Sequence, residues 1–140
     1  MLMFDTKRNR ELEVQRMLTK VINHYCPAVA ALREGPRGEN RVHLTLVVIV
    51  VPVVDGAPQL DRAFATVTKE VSSAGMAIVL NQELDTPDVL LAFEEGRQTI
   101  YALGTLRHQE PMGAGLFCAG VHFTQMVNPG DYPGLGELTI

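Results

Sequence analysis

The sequence predicts a mainly β protein: a six-stranded antiparallel, split β-barrel preceded by one amphipathic helix. Helical spacing of apolar residues is confined to the first 32 residues, and β-branched runs follow from residue 41. Turns rich in glycine and proline separate those runs. We therefore divide the chain into a helical segment 1–32, a barrel domain 33–127 and an irregular tail 128–140.

The N-terminal segment places apolar residues on one face of a helix, three and four positions apart. They are Val14, Met17, Leu18, Val21, Ile22 and Tyr25. Asp5 or Thr6 is placed to cap the start of this helix, and Pro27 predicts its end at Cys26. We expect the apolar face to cover the core of the protein, with a dimer or effector interface as the alternative.

Six β-type segments follow the helix. Their ranges are 41–53, 63–70, 76–80, 89–93, 98–108 and 116–126. The first is predicted to be one long strand or a bulged one, and residues 55–58, 94–96 and 111–115 have the composition of turns. The tail from Asn128 contains three glycines and two prolines, which predicts little regular structure.

Composition bounds the class of protein. A chain of 140 residues with 46% hydrophobic and 20% charged residues is suited to one soluble domain with its own core. It shows no signal peptide and no apolar run of about 20 residues, so we expect a cytoplasmic protein without membrane insertion. Cys26 and Cys118 lie in unrelated contexts and are expected to be free thiols.

Charge distribution favours a small anionic ligand over a polymer. A net charge of −4 argues against a general binder of nucleic acid, which needs broad positive potential. Arg33, Arg37 and Arg41 nevertheless fall within nine residues of one another. Such a local cationic patch on an acidic chain is typical of a site for a compact anion.

Two short motifs carry most of the functional information. The first, Arg37-Gly-Glu-Asn-Arg41, places two guanidinium groups just before a β-type run. The second, Glu70-Val-Ser72-Ser-Ala-Gly75, places a carboxylate, a hydroxyl and a glycine in and after another β-type run. Residues i and i+2 of a strand point to the same face, so we expect Glu70 and Ser72 to present their oxygens side by side.

In these motifs the sequence resembles the PilZ domain family, whose signature is RxxxR followed by [D/N]xSxxG. The resemblance covers residues 37–127, and Glu70 stands where the family usually has Asp or Asn. Two later segments resemble family strands as well. Ile100-Tyr-Ala-Leu-Gly104-Thr-Leu-Arg107 is similar to xxxGxVxR, and Gly120-Val121-His-Phe123 is similar to GVxF.

The resemblance implies a receptor for cyclic di-GMP that passes a signal to a partner protein and needs no cofactor. The residues it assigns to the ligand are Arg37, Arg41, Glu70, Ser72 and Gly75, with Arg33 as a supplementary charge. Arg33-Glu-Gly-Pro-Arg37 also fits RxxxR, but Arg41 runs directly into a strand-like segment and is preferred. A homodimer is compatible with this function.

Two other classes of function fit parts of the sequence. The first is a PilZ-like adaptor that acts through protein contacts without nucleotide, and the second is a split-barrel enzyme that binds a flavin phosphate. An enzyme is not expected, because GxSxG, HExxH and P-loop motifs are missing. A metal site is not expected either, since His24, Cys26, His108, Cys118 and His122 lack the spacing of zinc ligands. Cys118 and His122 are expected to face different environments.

Overall fold

The computed structural model describes residues 7–25 and 41–138 of the chain. One helix, α1, spans Lys7–Tyr25. Seven strands follow: β1 Val47–Val54, β2 Ala57–Pro58, β3 Phe64–Val71, β4 Gly75–Leu80, β5 Asp88–Glu95, β6 Gln98–Gly113 and β7 Leu116–Met126. Short 3₁₀ turns lie at Leu60–Arg62, Pro129–Asp131 and Leu135–Glu137. Within these ranges no helix is long and apolar enough to cross a membrane.

Six of the strands close into an antiparallel barrel in the order β1-β3-β4-β7-β6-β5, because β5 pairs back with β1. The closing ladder runs from Val48 opposite Phe93 to Val53 opposite Asp88. The predicted fold class, a mainly β protein with a six-stranded antiparallel barrel and an N-terminal helix, is confirmed. β2 is an additional short strand on the end of β1, in a segment that the sequence analysis assigned to a turn.

Alternate residues of the strands fill the barrel interior. Phe93 of β5 and Phe123 of β7 lie at its centre, with ring centroids 6.3 Å apart. The strand residues around them are almost all aliphatic: Val48, Val50, Val71, Met76, Ile78, Leu80, Val89, Leu91, Ile100, Ala102, Ala119 and Val121.

The apolar face of α1 belongs to this same core. Val14, Leu18, Val21 and Ile22 are almost completely buried among the barrel side chains, and α1 packs on β7. The helix therefore covers the barrel, as the first of the two alternatives for its apolar face expected. The predicted capping residues Asp5 and Thr6 and the predicted end at Cys26 lie outside the described residues.

A second apolar cluster covers the outside of β1 and β5. It consists of Ile49, Val51, Val53, Leu90, Ala92, Tyr101 and Leu135. Leu135 comes from the C-terminal segment and is fully buried, so that segment seals the outer face of the two strands. β1 and β5 are thus buried on both faces, which explains why their sequences are continuous apolar runs without alternation.

The first strand begins later than the predicted range 41–53. A side-chain hydroxyl, in place of a neighbouring strand, forms hydrogen bonds with backbone groups at the start of that range. Thr68 is buried, and its hydroxyl donates to the carbonyl oxygen of Leu44 at 2.6 Å and accepts from the amide of Leu46 at 2.9 Å. These bonds replace a regular ladder, so β1 begins only at Val47. Val42 alone keeps a β-bridge, to Val71.

The hairpin between β6 and β7 is longer than predicted. Residues 111–113, expected in a turn, belong to β6, and the turn proper lies at Ala114 and Gly115 with φ of 59° and 77°. Such positive values at both central residues match the twist of a two-residue hairpin. Pro111 is accommodated because the register shifts between Pro111 and Gly113, where a ladder bond is dispensable.

Candidate ligand-binding groove

A groove of about 250 Å³ runs across the outer face of β3, β4, β7 and β6. We call it the basic groove. Its lining residues are Arg41, Lys69, Glu70, Ser72, Ala74, Gly75, Met76, Ala77, Arg107, His108, Cys118, Gly120, Val121 and His122. Four of the residues that the sequence analysis assigned to ligand binding are among them: Arg41, Glu70, Ser72 and Gly75.

The bridge between Val42 and Val71 brings the two sequence motifs together. Each of these residues donates its amide to the carbonyl oxygen of the other, at 2.9 Å in both directions. Arg41 precedes the bridge on one side and Glu70 precedes it on the other. Arg41, the last residue of the first motif, and Glu70, the first residue of the second, therefore lie together at one end of the basic groove.

The Glu70 carboxylate lies near two basic side chains, those of Arg41 and His43. Its Oε1 lies 3.8 Å from Nη1 of Arg41, and its Oε2 lies 3.9 Å from Nδ1 of His43. The Arg41 and His43 side chains are 68% and 86% exposed, and that of Glu70 is 31% exposed. Exposed ion pairs at such distances contribute about 0–1 kcal/mol to stability.

Ser72 lies in the turn between β3 and β4 rather than in the strand, because β3 ends at Val71. Ser72 therefore does not continue the strand that carries Glu70, although both residues line the basic groove. The Ser72 hydroxyl oxygen accepts from the amides of Ala74 and Gly75, both at 3.2 Å. The Ser72 hydroxyl thus stabilises the turn, and Ser72 also lines the groove.

Gly75 is placed where the backbones of β4 and β7 come very close. A Cβ added to Gly75 would lie 1.8 Å from the carbonyl oxygen of Val121. Its φ is outside the left-handed region, so the close approach, and not the turn conformation, requires glycine here. The residue opposite it on β7 is His122.

The far wall of the basic groove was not assigned to the ligand from sequence. A register shift between Leu106 and His108 brings the consecutive residues Arg107 and His108 of β6 to the groove together. The imidazole of His108 lies over Gly120 of β7, since a Cβ added there would be 3.1 Å from Cε1 of that ring. Lys69 reaches the groove beside the register shift between Thr68 and Glu70.

Cys118 and His122 line the same groove, so the expectation that they face different environments is wrong. Positions four apart in a regular strand share a face, and this parity was available from the sequence. Cys118 is a free thiol. Among the described residues, no group of three or more histidine, cysteine or acidic side chains is arranged to hold a metal ion.

The charges of the groove favour an anion. Arg41, Lys69 and Arg107 are cationic, whereas Glu70 is the single carboxylate among the described lining residues. The floor contributes Gly75, Ala77 and Gly120, whose small side chains let a ligand approach the backbone. The protein as a whole carries a net charge of −4, so the groove is a positively charged region on a negatively charged protein.

Arg33 and Arg37 lie outside the described residues. The choice between the 33/37 and 37/41 registers of the arginine motif therefore stays a prediction. What the structure describes is the place of Arg41, the last residue of the preferred register, at the end of the basic groove.

Comparisons with known proteins give a likeness of fold. No protein-family model and no curated protein matches the sequence. Among solved structures, the inhibitor of motility MotI/DgrA of Bacillus subtilis matches with a TM-score of 0.52 and 19% identity, over 74% of this chain and 49% of that one. The chain thus spans about half the length of this neighbour. This likeness supports a PilZ-like fold.

Proposed function

We propose that this protein is a receptor for cyclic di-GMP that binds its ligand in the basic groove and signals to a partner protein. The observation that carries the proposal is the position of Arg41. It stands beside Glu70 and the Ser72–Gly75 turn, at the end of a cationic groove with a glycine-rich floor. Arg41, the last residue of the first motif, thus lies beside residues of the second, and this supports a shared site.

Arginine chemistry suits this ligand. The planar guanidinium donates two parallel hydrogen bonds to phosphate oxygens or to O6 and N7 of guanine, and its face stacks on a purine. The Arg41 side chain is mostly exposed at the end of the groove, where a ligand can reach its guanidinium. We expect Arg37 to act with it and Arg33 to add charge. The carboxylate of Glu70 suits the N1–H and N2–H₂ edge of guanine or orients Arg41.

The fold likeness gives the proposal independent support. A protein with a similar fold is named as an inhibitor of motility. That name describes a regulatory protein rather than an enzyme. Cyclic di-GMP has two phosphates, and the basic groove offers cations on both walls, Arg41 and Lys69 on one and Arg107 on the other. We expect binding without chemistry and a changed surface for a partner.

The test is an isothermal titration with cyclic di-GMP. We expect a Kd of about 1 μM or tighter for the wild type, with far weaker binding of cyclic di-AMP and GTP. Arg37→Ala and Arg41→Ala should each weaken binding by about tenfold or more, because each removes a charge-assisted hydrogen bond to the ligand. Arg97→Ala removes an exposed arginine that does not line the basic groove and should bind as the wild type. No heat at tens of micromolar ligand would reject the receptor.

The adaptor alternative takes the N-terminal helix as its docking face. The apolar side of that helix is buried in the barrel core, so a partner would have to bind its polar side. A pull-down in which a partner is retained equally by wild type and by Arg41→Ala, with and without cyclic di-GMP, would nevertheless favour an adaptor. We expect partner binding to depend on the ligand instead.

A further inference from the structure

Two imidazoles stand on the wall of the basic groove opposite Arg41. His108 is exposed on β6, and His122 is half-buried on β7. They are carried by neighbouring strands, since His108 lies opposite Gly120 and His122 lies opposite Thr105 in the β6–β7 ladder. From β3 to β6 the groove crosses three strand spacings, which is about 14 Å.

The neighbours of these imidazoles are small. On β4, the residue opposite His122 is Gly75, and Ala77, two positions along that strand, also lines the groove. The Cε1 atom of His108 is the ring atom nearest to Gly120. A ligand on the groove floor would therefore lie beside both rings.

The charged and titratable groups around the two imidazoles come from five elements. Arg41 and His43 precede β1, Lys69 and Glu70 are on β3, Asp88 is at the start of β5, Arg107 and Glu110 are on β6, and Cys118 is on β7. The residues of β4 that line the groove carry no ionisable group. Between pH 6 and pH 8, arginine, lysine and carboxylate side chains ordinarily keep their charge, whereas histidine, which titrates near pH 6.5, changes.

We infer that His108 and His122 are ligand-contacting residues which bind the anionic ligand as imidazolium ions, so that binding takes up protons and strengthens as pH falls. The inference rests on the proposed function and deepens it. An anion in contact with an imidazole stabilises the protonated form. By linkage, the bound state then holds more protons than the free state. Affinity is therefore highest at acid pH and falls as pH rises through the range in which the free protein has released these protons and the complex still holds them.

The experiment is calorimetric titration of the intact chain with cyclic di-GMP at pH 6.0 and pH 8.0, in pairs of buffers that differ in ionisation enthalpy. We expect affinity to be roughly three- to thirtyfold tighter at pH 6.0, which lies within the limit of about tenfold per pH unit for each proton taken up. The dependence of the observed heat on the buffer should show net proton uptake at pH 6.5.

Variants assign the effect to residues. His108→Gln and His122→Gln should each reduce proton uptake and weaken binding at pH 6.0, yet bind like the wild type at pH 8.0. A residue needed only for folding would lower affinity at both values, so the difference between them identifies ligand contact. His43→Gln tests the competing source of a pH effect, because His43 is paired with Glu70 at the other end of the groove. It should keep most of the pH dependence.

The outcomes separate the two proposals. Binding of equal strength at both pH values, without proton uptake, would overturn the role of the imidazoles and leave the receptor intact. Loss of the pH dependence in His43→Gln alone would also overturn it. Absence of binding at both pH values would overturn the receptor and this inference together.

Discussion

Arg41 and Glu70 form an ion pair, with 3.8 Å between Nη1 and Oε1, although they come from separate motifs of the chain. The pair connects the segment before β1 to the end of β3, beside the Val42–Val71 bridge. It also shows what the unusual glutamate does in the free protein: its carboxylate reaches both Arg41 and His43. In the proposed receptor, a ligand must compete with this carboxylate for the guanidinium.

Shortening this side chain tests that competition. Glu70→Asp withdraws the carboxylate by about one carbon–carbon bond length, roughly 1.5 Å, from Arg41 and His43. We expect cyclic di-GMP to bind about three- to tenfold more tightly, as measured by calorimetric titration, because Arg41 is then freer to bind phosphate or guanine. Glu83→Asp, at an exposed position away from the groove, is the control and should leave affinity unchanged. Weaker binding by Glu70→Asp would mean that the longer side chain itself serves the ligand.

Gly75 should tolerate no side chain. A Cβ there would meet the carbonyl oxygen of Val121 at 1.8 Å, so Gly75→Ala must push β4 and β7 apart. We expect a loss of about 1–3 kcal/mol in the free energy of unfolding, measured with denaturant. Gly136→Ala is the matched control, since no atom lies within 4 Å of the Cβ it would add. Equal stability of the two variants would contradict the close contact.

The helix should contribute to barrel stability through one face only. Leu18 is 1% exposed and Leu12 is 37% exposed on the same helix. We expect Leu18→Ala to lower the free energy of unfolding by about 2–5 kcal/mol, because it leaves a cavity in the core. Leu12→Ala should cost less than about 1 kcal/mol. Similar small effects at both positions, in the same denaturant experiment, would mean that α1 is not part of the cooperative core.

Periodicity predicted the local elements well, because it depends on side chains that are neighbours in sequence. The apolar spacing of 14–22 foretold the buried face of α1, and the range 116–126 coincides with β7. Barrel closure by the β1–β5 ladder was expected only as a consequence of the fold class. Contacts between segments far apart in sequence decide which strands pair at the closure. Local sequence patterns contain no information about those contacts.

The parts of the groove that escaped prediction depend on register. The hydroxyl of Thr68 ends the ladder near residues 44–46, and the shift between Leu106 and His108 brings two consecutive β6 residues to the groove. Neither irregularity has a signature in the sequence of its own strand. The shared face of Cys118 and His122, in contrast, could have been read from strand parity.

The most direct test of the account maps where the ligand binds. Amide resonances of the ¹⁵N-labelled protein should be followed by NMR during titration with cyclic di-GMP. We expect the largest shift changes in residues 41–43, 70–77, 107–108 and 118–122, which form or adjoin the basic groove. The far side of the barrel, sealed by the segment around Leu135, should change little. No change at saturating ligand, or changes confined to α1 and the C-terminal segment, would contradict the claim that this groove receives the nucleotide.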